Sequence, residues 1–87
     1  MPAKKPVEGE FEYITEAGAA ITLAPYNSVK TGLIRKIRYQ TEGGQFFSIL
    51  EELADEDALA AVDEMPSEEL KKFRTAWYKH SGISLGE

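Results

Sequence analysis

Pro66 divides the last third of the chain into two short amphipathic segments, and this division most limits what the chain can fold into. Ahead of it, Ala58, Leu59, Val62 and Met65 recur at the three- and four-residue spacing of a helix face. Behind it, Leu70, Phe73, Ala76 and Trp77 make a second stripe. Pro suits a first helical turn, where its missing N–H is harmless, and Ser67 is an alternative cap. Lys79 and His80 favour the negative end of the second helix, and Gly82 supplies a stop. Both helices need partners elsewhere in the chain, because helices this short are marginal alone.

Those partners are legible upstream. Phe11, Tyr13 and Thr15 alternate with Glu10, Glu12 and Glu16, the period of a strand. Gly18 permits a turn, and residues 20–23 (AITL) read as the returning strand, ended by Pro25. This predicts a β-hairpin over roughly 10–24, which must lie on helices to be stable. Val29, Leu33, Ile34 and Ile37 predict a helix over 28–39 capped by Asn27 or Ser28, with Arg35 and Arg38 opposite and Gly32 allowing close packing with the hairpin. Residues 41–44 (TEGG) read as a helix break. Phe46, Ile49, Leu50 and Leu53 form the next stripe, and Asp55 caps the helix that follows. The expected fold class is α+β, mainly α: an N-terminal β-hairpin followed by about four short helices. The expected organisation is a flexible tail over 1–9, one domain over 10–82 and a flexible tail over 83–87.

Eighty-seven residues with 43 % hydrophobic content suffice for one modest core. The chain has no Cys, which excludes a disulfide framework and suits a reducing cytoplasm. No apolar run reaches the ~18–20 residues of a membrane span, and the basic start is followed by 7–10 (VEGE), unlike a secretory signal. Charge is uneven: residues 1–40 carry net +2 and residues 41–87 net −7. The acidic half opposes general binding to phosphate backbones.

Catalytic chemistry finds no support. Asp55, Glu56 and Asp57 lack the alternating ligands and central Gly of a calcium loop and read as capping and solvation. His80 is the only His, so no paired-His metal motif exists. No Ser sits in a glycine-framed elbow, and residues 42–45 (EGGQ) lack the spacing of a phosphate loop. The expectation is a non-enzyme without metal or cofactor. Lys30, Arg35, Lys36 and Arg38 give the 28–39 helix a basic face, readable either as a solvated surface or as a nucleic-acid contact. The adjacent pairs Phe46–Phe47 and Trp77–Tyr78 cannot each point both rings into one core, so one ring of each pair is expected at the surface, where large aromatics anchor partners. Ile83 and Leu85 alternate after the Gly82 stop and could add as a strand or dock in a groove.

Residues 30–36 (KTGLIRK), 59–73 (LAAVDEMPSEELKKF) and 76–87 (AWYKHSGISLGE) carry a resemblance to the small tail assembly chaperones of long-tailed bacteriophages. It spans about two-thirds of the chain, and the ending after Trp77 is its most specific part. The resemblance implies a non-catalytic protein of the host cytoplasm that is absent from the mature virion. It also implies binding to the tape measure protein, which is kept soluble, and recruitment of tail tube protein. Members of that family occur with a longer form made by programmed frameshifting, and the ending of this chain fits the short form. Phe47, Trp77, Tyr78, Ile83 and Leu85 are the expected partner-binding residues; self-association is a further expectation, membrane binding is not. The alternatives are a small DNA-binding regulator using the 28–39 helix, and a virion component joining head and tail.

Overall fold

A computed structural model describes residues 9–83. The order is β1 (Phe11–Ile14), β2 (Ala20–Leu23), a short 3₁₀ turn (Tyr26–Ser28), α1 (Thr31–Ile37), α2 (Glu42–Leu53), α3 (Glu56–Asp63) and α4 (Ser67–His80). The fold is α+β and mainly α, a hairpin followed by four helices, as the sequence periodicities predict.

The strands pair antiparallel with Phe11 opposite Leu23 and Tyr13 opposite Ile21. That register puts Phe11, Tyr13, Ile21 and Leu23 on one face, since neighbours across the pair point the same way. Thr15 closes the hairpin: its N–H donates to the Ala19 carbonyl at 2.8 Å and its Oγ1 accepts from the Ala19 N–H at 2.9 Å. Gly18 takes φ +97°, the left-handed conformation the turn requires. The hairpin lies across the helices, β2 against α3 and β1 against α4. Phe11, Ile21 and Leu23 thereby join Phe46, Leu50, Phe73 and Trp77 in one buried core.

The helix boundaries follow local chemistry in three places. The Thr41 Oγ1 accepts from the Gly44 N–H at 3.0 Å, so Thr41 caps α2. The Asp55 carboxylate accepts from the Ala58 N–H at 2.8 Å and caps α3. At the end of α4 the Ile83 N–H reaches the Tyr78 carbonyl at 2.9 Å and the Gly82 N–H reaches that of Lys79 at 3.1 Å, with Gly82 at φ +81°. This is the Schellman arrangement, which consumes two carbonyls the helix leaves open.

Four expectations are corrected. The helix over 28–39 is shorter, 31–37, because Asn27 and Ser28 are engaged elsewhere: Asn27 Nδ2 donates to the Ser81 carbonyl at 3.2 Å and Ser28 Oγ to the Pro25 carbonyl at 2.7 Å. Lys30 takes the cap position of α1 without a side-chain bond. Residues 42–44 do not break a helix but form the first turn of α2, and the chain instead reverses over 38–41. The Gln45 amide bridges that reversal, donating to the carbonyls of Ile37, Arg38 and Gln40 at 3.3–3.4 Å. Gly32 does not pack on the hairpin, since a Cβ there would meet nothing within 4 Å. Pro66 occupies the cap position of α4 rather than its first turn. Of the expected tails, residues 1–8 and 84–87 lie outside the described residues; Gly9 and Ile83 are held, Gly9 by a 2.9 Å bond from His80 Nε2 to its carbonyl.

Glu69 is the one carboxylate in the interior among the described residues, 3 % exposed. It stands in the first turn of α4, where the exposed N–H groups favour an anion. It accepts from the Glu16 backbone N–H at 2.8 Å and from the Tyr13 hydroxyl at 3.4 Å, clamping the hairpin turn to α4. Glu69→Ala leaves both donors without their partner and is expected to cost about 1–3 kcal/mol, whereas Glu69→Gln keeps an acceptor oxygen and recovers most of that. Urea denaturation of the two variants measures it; an alanine variant as stable as the parent would remove the clamp from the account.

Candidate functional site

The five residues expected at a partner surface separate in the structure. Trp77 is fully buried, with its Nε1 donating to the Ala24 carbonyl at 2.9 Å. Its indole stacks on Phe11 at 6.4 Å and meets Tyr26 and Phe46 edge to face at 5.1 and 6.0 Å. Tyr78 is buried too, its ring 4.5 Å from that of Tyr26. The expectation that one ring of this pair reaches the surface is therefore corrected. Both rings are covered because α4 is enclosed on two sides, by the hairpin through Phe11 and by Tyr26 and Phe46 through the other flank. Ile83 is partly buried against the same core. Leu85 lies outside the described residues. Of the four that are described, Phe47 alone stands at the surface, 43 % exposed, its ring 5.1 Å edge-on to the buried Phe46.

Sequence reasoning missed the other exposed apolar groups. Ile14, Ile34 and Tyr39 are 66 %, 45 % and 88 % exposed. Ile34 had a place in the inward stripe of α1, but Leu33 and Ile37 share the inward face and Ile34 sits about 100° away from Leu33. The available signal was the adjacency of Leu33 and Ile34, the same signal as in Phe46–Phe47. Ile34, Tyr39 and Phe47 all belong to the segment from α1 into α2, and α1 itself packs shallowly, with Ile37 its only buried residue.

This segment is also the most basic part of the chain. Residues 17–41 hold four cations, Lys30, Arg35, Lys36 and Arg38, and no Asp or Glu. All four are exposed, and none enters an ion pair among the described residues. The Arg38 guanidinium lies 4.7 Å from the centre of the Tyr39 ring and donates to the Arg35 carbonyl, closing the end of α1. The ion pairs among the described residues lie elsewhere, Lys72 with Glu16 at 3.7 Å and Arg74 with Glu42 at 3.9 Å. Arg74 also lies 5.1 Å over the Phe46 ring and 5.5 Å over Tyr78.

The remaining polar side chains with chemical potential serve the backbone. Ser81 Oγ donates to the Trp77 carbonyl and accepts from the Tyr26 N–H, both at 2.8 Å. His80 is committed to Gly9. Among the described residues no group of His, Cys, Asp and Glu is placed to hold a metal ion, and no helix is long and apolar enough to cross a membrane.

Two phenols titrate abnormally. Burial pushes Tyr26 well above the ordinary tyrosine value, with the Tyr78 hydroxyl adding to it. Burial, then the Glu69 carboxylate and its hydrogen bond, raise Tyr13. A group whose folded value exceeds its unfolded one favours folding fully below the unfolded value and loses that contribution as pH rises toward the folded value. Stability is therefore expected to hold up to pH ~10 and to fall above it, as both phenols ionise more readily in the unfolded chain than in the folded one. Urea midpoints measured from pH 8 to 11 for the parent and for Tyr26→Phe test this, the variant losing less.

Comparison with protein-family models, with curated proteins and with solved structures finds no match.

Proposed function

We propose that this chain is a non-catalytic tail assembly chaperone of a long-tailed bacteriophage. It binds the tape measure protein in the host cytoplasm, keeps it soluble and helps recruit tail tube protein, and it does not enter the mature virion. The observation that carries this reading is the retention of Ile34, Tyr39 and Phe47 at the surface of a chain with net charge −5. A protein that shields apolar helical segments needs exposed apolar anchors, and a strong net charge keeps such a surface from self-aggregating. The resemblance of residues 30–36, 59–73 and 76–87 supplies the class of partner. The partner surface moves accordingly: Phe47 stays in it, Ile34 and Tyr39 join it, and Trp77 and Tyr78 support it from the core.

Co-expression with the tape measure protein of the same genome tests the proposal, read as co-purification and as the soluble fraction of that protein. Capture with rescued solubility is the expected result. Tape measure protein that stays insoluble beside both this chain and its longer frameshifted form would sink it. Purified particles that contain the chain would assign it to the virion instead, as a joining protein.

The four cations between residues 17 and 41, without an ion pair among the described residues and next to exposed Tyr39, favour one second reading, a DNA-binding regulator. Against it, α1 is only seven residues long, and acidic helices follow it directly. Steeply salt-dependent duplex binding, lost in Arg35→Ala with Arg38→Ala, would establish it.

A further inference from the structure

We propose that the basic face of α1 docks on the acidic outer face of α3 in a second copy of this chain, joining copies head to tail. This goes beyond the chaperone reading and stands without it.

The charge segregation carries the argument. Residues 17–41 hold four cations and no acid, whereas residues 39–70 hold ten carboxylates and no cation. The ion pairs formed within the chain engage Glu16 and Glu42, so no carboxylate of α3 is paired among the described residues. On α3 and at its C-cap, Glu56, Ala60, Asp63 and Glu64 are exposed at the spacing of a single helix face. Ala60 leaves a low apolar spot among carboxylates. On α1, Arg35 is exposed beside Ile34, and Arg38, one turn on, lies on the same side, so an apolar side chain stands among cations. The two faces are complementary in sign, and each combines charge with an apolar position.

Their energetics set the character of the contact. Exposed ion pairs contribute about 0–1 kcal/mol each, so charge steers and orients while burial of Ile34 and Tyr39 supplies much of the rest. The contact is therefore weak and salt-sensitive. A head-to-tail contact leaves one basic and one acidic face open after each docking event, so association proceeds to rings or short chains rather than stopping at a two-fold dimer.

Sedimentation equilibrium of the purified full chain tests this between about 0.01 M and about 1 M NaCl, over which the Debye length shrinks from about 30 Å to about 3 Å. The dissociation constant is expected to rise at least about tenfold across that range. Arg35→Gln with Arg38→Gln neutralises one face, and Asp63→Asn with Glu64→Gln neutralises the other. Each variant alone is expected to be monomeric, and an equimolar mixture to give a 1:1 dimer that grows no further. Circular dichroism checks that both variants keep their helices, and the salt series on the unaltered chain does not depend on them. A chain that stays monomeric in low salt overturns the proposal, as do variants that associate like the parent or a mixture that stays monomeric. A low-salt monomer whose α1 face retains a duplex oligonucleotide would give that face to nucleic acid.

Discussion

Trp77→Ala is expected to leave the chain largely unfolded at 25 °C. The indole is fully buried, and its N–H holds the Ala24 carbonyl at 2.9 Å. Truncating a buried Trp costs about 3–5 kcal/mol in lost burial and cavity. The unpaired Ala24 carbonyl adds a further penalty of about 1 kcal/mol or more. Domains of this size fall near the low end of stabilities of about 5–15 kcal/mol, so the sum approaches everything available. Trp77→Phe keeps an aromatic ring and forfeits the hydrogen bond, and a smaller loss is expected. Far-UV circular dichroism during urea denaturation measures both. An alanine variant with an unchanged midpoint would place Trp77 outside the core. The consequence for function is direct: loss of a partner in Trp77→Ala reports on folding and does not locate a binding surface.

The same residue shows where sequence reasoning reaches its limit. Local signals were legible because they act within a few residues: the alternation of Phe11, Tyr13 and Thr15, the cap at Asp55 and the stop at Gly82 all appear as expected. The start of α1 was not legible, because Asn27 is taken by the Ser81 carbonyl, 54 positions away. Glu69 was not legible for a similar reason. Glu is ordinarily exposed, and only the fold brings the Glu16 N–H and Tyr13 hydroxyl to it. For the aromatic pairs, adjacency establishes that two rings point about 100° apart, but not how many sides of the helix are covered. Of these two pairs, α2 is covered on one side and α4 on two, so the inference holds for Phe46–Phe47 and fails for Trp77–Tyr78.

Phe46 and Phe47 therefore offer a matched pair of substitutions on neighbouring residues. Phe46→Ala removes a ring that is 1 % exposed and in contact with Tyr26, Trp77 and Tyr78, and a loss of about 3–5 kcal/mol is expected. The Arg74 guanidinium, 5.1 Å over that ring, loses its aromatic face as well. Phe47→Ala removes a ring 43 % exposed whose aromatic contact is the edge of Phe46, and the expected loss is under about 1 kcal/mol. On the proposed function the order reverses for binding. Phe47→Ala, folded, is expected to weaken capture of the tape measure protein at least about tenfold, the scale of losing one aromatic anchor. Urea midpoints and a pull-down titration on the same preparations separate the two effects. Equal destabilisation by both substitutions would make Phe47 a core residue, and undiminished capture by folded Phe47→Ala would remove it from the partner surface and leave Ile34 and Tyr39 to carry that surface.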